Sequence, residues 1–412
     1  MANPLFVILI ALIVAFFLSE VFRYFSLPRV VGQILAGVIL GIPLIRETLF
    51  TYEVDSAFSF LTNMGILLLF FFIGLEISPR EFKKNFKESS LIAVFNTIIP
   101  LIAGFLAGHF MFGLSTMASL IIGICLSVSS QAISLDILEE LKLIKSKIGN
   151  LIISAGTVDD VFELLLISVL LVAFHSTALG ETSLQKLVLD ILAFVLIVVI
   201  FRFSLIPIAL RIFEREKSKS TLFMGALIIV LLMAYVSEVA GVGSLIGALV
   251  AGILVRQTLL NEIDRKPWRM NEISHSIHII AFGFLIPIFF VNVGLKTDFS
   301  YISSNIPLIL VLLVIDVLGT VLGTVIGVML SKGTFKEGLT VGFGVVPKGD
   351  TELAIATLAL GAGIISIGIF TAIITVDLIA TIIAPIVFKF MVKKYGSQNR
   401  LVPKQRNIIF ET

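Results

Sequence analysis

Charged residues are scarce in this chain, and cysteine is nearly absent. Only 14% of the 412 residues are charged, whereas a soluble domain has about 25%. The net charge of +2 and the lack of a basic, aromatic-interleaved patch outside the loops argue against a nucleic-acid partner. The single cysteine, Cys125, excludes an internal disulfide. His275 and His278 share a helical face, but neither has neighbours at the spacing of a zinc site.

Long apolar runs recur along the whole chain instead. Hydrophobic residues make up 58% of it, and the mean hydropathy is +1.11. Runs of about 20 apolar residues are long enough to cross a bilayer as helices. We therefore predict an all-α polytopic membrane protein surrounded by lipid. The thirteen predicted helices cover residues 4–22, 28–46, 58–77, 90–112, 115–138, 148–173, 186–206, 221–239, 242–258, 274–295, 305–330, 336–361 and 365–392.

The loops between these helices alternate in charge. Loops such as 80–84 and 142–147 are rich in lysine and arginine, whereas loops such as 47–55 are neutral or acidic. Basic loops stay on the cytoplasmic side. We therefore expect a cell-membrane protein with its N-terminus outside and its C-terminus in the cytoplasm. Residues 1–394 would form one transmembrane domain, followed by a short cytoplasmic tail, 395–412.

Three carboxylates lie near the middle of the apolar run 148–173. They are Asp159, Asp160 and Glu163, and a charge at the bilayer centre costs at least about 2.5–3.5 kcal/mol. Consecutive helical residues point ~100° apart, so Asp159 and Asp160 face different directions, while Glu163 lies near the Asp159 face. We interpret the stretch as a cation- and proton-binding site, with Thr157 beside it. The alternatives are a structural polar contact for the pair and an ion pair for Glu163.

Two of the predicted helices are interrupted by polar residues. The first break contains Ser129, Ser130 and Gln131, and the second contains Lys348 and Asp350 directly after a glycine-containing segment and Pro347. Two broken helices of opposite orientation are typical of inverted-repeat transporters. Hydroxyls and freed carbonyls suit a hard cation such as Na⁺, although they could also satisfy only their own backbone. We therefore take Ser129, Ser130 and Gln131 as candidate ion ligands.

The remaining mid-membrane charges are assigned supporting roles. Lys348 lies beside Asp350 and Glu352, so charge compensation at the helix break is its simplest role. Asp316 and Asp377 each lie at the centre of a predicted helix. Either could take part in transport, or could hold two helices together in its protonated form.

Seven short motifs occur in order along nearly the whole chain. They are Leu27–Gly37 with Leu40-Gly41, Met64–Ile66 through Phe72–Glu76, Ser127–Ala132 with Leu135 and Leu138, Val158-Asp159-Asp160, Phe289-Phe290 with Val293–Leu295, Pro347–Asp350, and Thr381 with Ala384-Pro385. Together they resemble the motifs of monovalent cation:proton antiporters of the Kef/NapA-like branch.

The resemblance implies a specific architecture and a specific site. It implies a thirteen-helix, NhaA-like antiporter fold with crossed discontinuous helices, working as a homodimer. Core helices would lie near 90–173 and 305–392, and dimerisation helices near 4–77 and 186–295. Asp160 would bind Na⁺ and H⁺ competitively, with Asp159 as a second metal-binding carboxylate. A lysine commonly pairs with that second carboxylate, and Asp316 stands in its place.

The function that we predict is Na⁺/H⁺ antiport by alternating access, without a cofactor other than the transported ions. K⁺/H⁺ antiport of the Kef type is the first alternative, because no residue in the sequence indicates the size of the transported cation. A channel is a further alternative. An intramembrane aspartyl protease also needs two mid-membrane aspartates, but the string Pro347-Lys348-Gly349-Asp350 lacks the glycine two residues before the aspartate. We therefore expect a transporter rather than an enzyme.

Overall fold

The computed structural model of the protein describes part of the chain in detail. The described residues are 3–25, 27–76, 86–144, 146–156, 158, 159, 162, 163, 166, 196, 199, 203, 219–240, 243–256, 277–298 and 300–395. All regular structure in these ranges is helical. The predicted helix 186–206, the second half of the predicted helix 148–173 and the tail 395–412 lie almost wholly outside the described residues.

The described helices follow the apolar runs of the sequence. They are α1 Pro4–Tyr24, α2 Arg29–Leu40, α3 Pro43–Leu49, α4 Tyr52–Glu76, α5 Phe86–Leu106, α6 Thr116–Ser127, α7 Ala132–Glu140, α8 147–156, α9 Lys219–Val239, α10 Ser244–Val255, α11 Ile286–Lys296, α12 Ser300–Ser304, α13 Ile306–Leu330, α14 Phe335–Val345, α15 Thr351–Gly361 and α16 Ile367–Tyr395. Single π-helical turns, Ala107–Met111 and Ala281–Leu285, extend α5 and precede α11.

One predicted helix, 28–46, is wrong as a single element. The chain bends by 80° between α2 and α3. Ile42 is extended, with ψ of 129°, because the residue before a proline avoids the α region, and Pro43 then starts a new helix. Within the described residues, six helices are long and apolar enough to cross a membrane, and the bent pair makes a seventh. The number thirteen stays a prediction.

The described helices pack most closely within two groups. In the first, α2 packs on α1 and α11, and α4 packs on α10. In the second, α13 packs on α5, α14 and α16. Glycines permit the closest approaches: a Cβ on Gly323 of α13 would collide with the carbonyl of Phe95 on α5, and one on Gly74 of α4 with that of Leu249 on α10.

The second group contains both interrupted helices, which cross each other at their breaks. The first half of each packs on the second half of the other, α6 on α15 and α14 on α7. At the crossing, the backbone N–H of Ser130 donates to the carbonyl of Pro347 at 2.8 Å. The Ser134 hydroxyl donates to the carbonyl of Gly344. These bonds satisfy backbone groups that the breaks set free, which is a requirement at membrane depth.

Candidate ion-binding site

Asp159 lies at the centre of the candidate site, 2% exposed. Its Oδ1 accepts a hydrogen bond from the Thr97 hydroxyl at 2.6 Å. Its Oδ2 accepts from the Ser129 hydroxyl at 2.6 Å and from the Asn96 amide at 3.1 Å. All three donors are neutral, so the carboxylate is solvated by dipoles rather than by a direct basic partner.

The Thr97 hydroxyl can form a hydrogen bond with Asp159 in both protonation states of the carboxyl group. Its oxygen also lies 2.9 Å from the carbonyl of Ala93, one turn back on α5. When Asp159 is ionised, Thr97 donates to it. When Asp159 is protonated, the carboxylic acid can donate to the Thr97 oxygen while the hydroxyl turns to Ala93. The site can therefore gain or lose a proton without leaving a buried polar atom unpaired.

Asn96 is held in place from a third helix. The hydroxyl of Thr324 on α13 donates to its amide oxygen at 3.2 Å, which leaves the amide nitrogen directed at Asp159. Helices α5 and α13 are therefore coupled at the depth of the carboxylate.

Glu163 and Asp159 bind the same residue of the first helix break, Ser129. Its Oε1 accepts from the backbone N–H of Ser129 at 2.6 Å, while the hydroxyl of the same serine binds Asp159. This N–H lies just before the N-terminus of α7, where an anion is favoured by the helix dipole.

Lys348, in the second helix break, forms hydrogen bonds with the first helix break. Its ammonium donates to the carbonyls of Leu126 and Val128, at 2.9 and 2.7 Å, at the C-terminal end of α6. It also forms a 2.7 Å ion pair with Asp316 on α13. The sequence predicted charge compensation with Asp350 and Glu352; Glu352 does interact with Lys348 through space, but the direct contact is with Asp316. The direct partner comes from another helix because the broken helices cross beside α13.

Of the other predicted site residues, three lie within the described part of the chain and two lie outside it. Ser130 contacts the second break through its backbone N–H, and the half-buried Gln131 lies where a Cβ on Gly156 would stand. Asp350 is half-buried at the N-terminus of α15. Asp160 and Thr157 lie outside the described residues, so their predicted roles stay predictions.

Three residues that contact or orient Asp159 were not identified from the sequence: Asn96, Thr97 and Thr324. The sequence does contain a pattern of polar residues that could have identified them. Asn96 and Thr97 are adjacent polar residues in the predicted helix 90–112, and Thr320 and Thr324 are four residues apart in the helix 305–330. Threonines in such helices usually bond their own backbone, which is why their sequence pattern alone does not separate a ligand from a structural residue.

The geometry favours a small hard cation and a proton as ligands. The carboxylate oxygens of Asp159 and the hydroxyl oxygens of Thr97 and Ser129 converge on one point from α5, the α6–α7 break and the helix that carries Asp159. Oxygen ligands suit alkali cations. Within the described ranges, no group of three histidine, cysteine or acidic residues could hold a metal ion such as zinc.

A protein-family model and two curated relatives match almost the whole chain. The model, described as "Sodium/hydrogen exchanger, transmembrane", covers residues 8–394. The Na⁺/H⁺ antiporter of Enterococcus hirae is 28% identical over 379 residues, which are 91% of this chain and 94% of the relative. The Na⁺/H⁺-K⁺ antiporter GerN of Bacillus cereus is 28% identical over 365 residues, 88% of this chain and 89% of the relative.

A solved structure has the same fold. The sodium proton antiporter MjNhaP1 of Methanocaldococcus jannaschii superimposes with a TM-score of 0.67 at 15% identity, covering 96% of this chain and 97% of that one. At this identity the match supports the fold, and the helical antiporter architecture is confirmed.

Proposed function

Because the chain belongs to the sodium/hydrogen exchanger family, we propose that it exchanges Na⁺ for H⁺ across a membrane at Asp159 and Asp160. It is a multi-pass membrane protein of a transporter family, so an intramembrane protease is no longer a candidate. The observation that carries the proposal is a fully buried carboxylate, Asp159, which is held by three neutral donors beside two crossed helix breaks.

Competition at the carboxylates couples the two ion gradients. An ionised carboxylate attracts a dehydrated Na⁺, and its protonation removes the charge and releases the cation. The loaded or protonated site can be carried past an apolar barrier, whereas an empty, charged site cannot, because burying an unpaired charge costs several kcal/mol. Each half-cycle therefore moves one ion or the other.

The surrounding groups would complete the cation shell. The hydroxyl of Ser129 donates to Asp159 and can rotate its lone pairs toward a bound cation. Asp160, Thr157, Ser130 and Gln131 are proposed as further ligands. Glu163, Asp316, Lys348 and Asp350 would set the potential around the site.

Alternating access would use the two groups of helices. Packing of α5 with α13, and of α13 with α14 and α16, supports a moving core near 90–173 and 305–392. Packing of α2 with α1 and α11 supports a second unit near 4–77 and 186–295, which we propose as the dimerisation domain of a homodimer. The proposed location is the cell membrane, with the C-terminus in the cytoplasm.

Substitution of the two aspartates tests the proposal. In everted vesicles, Asp160→Asn and Asp159→Asn should lose Na⁺-driven proton movement by at least tenfold while the protein still inserts, because the amide neither ionises nor binds the cation electrostatically. Glu139→Gln, an exposed carboxylate on α7, is the matched control. Full exchange by both aspartate variants would contradict the proposal.

K⁺/H⁺ exchange is the second candidate function. A relative at 28% identity is named as an antiporter of Na⁺ and K⁺, and oxygen ligands bind both cations. Proteoliposomes loaded with Na⁺, K⁺ or Li⁺ in turn separate the candidates. Proton flux with K⁺ equal to or above that with Na⁺ would replace the Na⁺ proposal by the K⁺ one, and flux that never saturates with ion concentration would indicate a channel.

A further inference from the structure

Two buried carboxyl groups have no part in the mechanism above. Glu352, on α15, is 1% exposed, and Asp377, on α16, is 6% exposed. Both lie within electrostatic reach of Lys348. Two more negative charges at this depth would be expensive unless they are compensated.

The two groups are paired with each other. Their side chains are in hydrogen-bonding contact. Among the residues that the structure describes, no other residue donates a hydrogen bond to either oxygen of Glu352, and only its own backbone N–H faces the side chain. Asp377 accepts one hydrogen bond, at 3.3 Å, from the Thr381 hydroxyl.

Lys348 cannot supply the missing donor. A lysine ammonium has three N–H groups, and all three are engaged, by Leu126, Val128 and Asp316. The lysine attracts the pair through space but gives it no hydrogen bond.

Ionised carboxylates only accept hydrogen bonds, so two of them in contact require a proton between them. We propose that Glu352 and Asp377 form a second proton-binding site, which holds one shared proton at neutral pH. The proton supplies the hydrogen bond between the two carboxyl groups and halves the charge of the pair. Such a pair titrates as one unit rather than as two independent residues.

The shared proton determines the charge beside the transport site. The groups that face the pair are Lys348, Asp316, Asp350 and the thiol of Cys125. With one proton bound, Asp316, Lys348 and the pair sum to one negative charge instead of two. Lys348 also interacts with Asp159, so the occupancy of the pair is transmitted electrostatically to the transport site.

Infrared difference spectroscopy of the purified full chain tests the site without any transport assay. At pH 7 the wild type should show the carbonyl stretch of a buried, protonated carboxylic acid. That band should shift or vanish in Glu352→Gln and in Asp377→Asn, and should persist in Glu139→Gln, whose carboxylate is exposed. Either pair variant is sufficient if the other fails to fold. A spectrum that neither pair variant changes would overturn the proposal.

The pH dependence of exchange gives a second, independent test. A single amide on the pair carries the same charge as the protonated pair, so the pH of half-maximal exchange should stay where it is in the wild type. The double variant Glu352→Gln/Asp377→Asn removes one negative charge. Asp159 then ionises more readily, and the midpoint should move by about half to one pH unit toward acid, the coupling expected at an effective dielectric of about 20.

If both carboxylates were ionised, the pH midpoints of the variants would differ from those above. Each single variant would then remove a negative charge, and each midpoint would move toward acid, which would overturn the shared proton. The pH experiment rests on the proposed exchange function, whereas the infrared experiment does not. If the wild type lacks the carboxylic-acid band but exchanges Na⁺ for H⁺, the shared proton has failed. If it shows the band but exchanges no ions, the proposed exchange function has failed.

Discussion

Thr97 and Ser129 allow an acidic side chain to lie inside an apolar bundle. Their hydroxyl oxygens are each 2.6 Å from an Asp159 oxygen, and hydrogen bonds to a charged group contribute about 1.5–3 kcal/mol each. A hydroxyl can also turn round and accept, which a lysine cannot do. Neutral donors thus hold the carboxylate while leaving it free to exchange a proton for a cation.

Removing one of these donors should move the working range of the site. Thr97→Val keeps the shape of the side chain but leaves ionised Asp159 with one hydrogen bond fewer, so its protonated form should persist to higher pH. We expect the pH of half-maximal exchange to rise by about one unit, since about 1.4 kcal/mol corresponds to one unit.

The measurement is Na⁺-driven proton flux in proteoliposomes as a function of pH. Thr340→Val on α14 is the matched control, because that buried threonine bonds the carbonyl of Lys336 in its own helix. An unchanged or lower midpoint for Thr97→Val would contradict the role assigned to the hydroxyl.

At the scale of the element, α5 and α13 form the contact on which the site depends. Asn96 and Thr97 stand on α5, and Thr324 stands on α13. The two helices approach closely because glycines face the partner backbone: Gly323 lies against Phe95, and Gly327 lies against Ile92. Without a hydrophobic driving force in lipid, small residues provide such helix contacts.

A methyl group at this contact should therefore weaken both stability and exchange. Gly323→Ala places a Cβ against the carbonyl of Phe95, which cannot swing away as a side chain can. We expect a loss of about 1–3 kcal/mol and a reduced melting temperature in detergent, together with slower exchange.

The control for this change is Gly361→Ala, at the end of α15, where a Cβ would meet open space. Its melting temperature should equal that of the wild type or exceed it. Equal melting temperatures for the Gly323 and Gly361 variants would show that α5 and α13 can separate without cost.

At the scale of the whole molecule, the charge of the loops predicts the direction of the chain across the membrane. The alternation of basic and neutral loops predicts that residue 116 lies outside and residue 139 in the cytoplasm. Both positions are exposed. Cys125 is the single cysteine of the chain and is 2% exposed, so background labelling of the native thiol should be low.

Cysteine labelling tests that direction. A membrane-impermeant maleimide added to intact cells should label Thr116→Cys and leave Glu139→Cys unlabelled until the membrane is opened. The reason is that the reagent reaches only the outer face. The reversed pattern would invert the assigned topology, and labelling of wild-type protein would show that Cys125 is accessible.

Several features follow from the sequence because they are local. Apolar runs of spanning length, the two polar breaks and the helical face shared by Asp159 and Glu163 each depend on residues near one another in the chain. Hydropathy and helical spacing are sums over such neighbours. The fold class was correctly predicted for this reason, and the antiporter family was correctly predicted from the resemblance of the seven motifs. The single helix 28–46 was a wrong prediction although Pro43, which ends the first part, is visible in the sequence.

Only the tertiary structure decided which polar groups meet. Lys348 pairs with Asp316 instead of its neighbours in sequence, Asn96 and Thr97 reach Asp159 from α5, and Glu352 lies against Asp377. These contacts join residues that are 25 to more than 60 positions apart. Their formation depends on the crossing of the broken helices and on glycine-mediated approach of α5 and α13, which no local pattern of residues specifies.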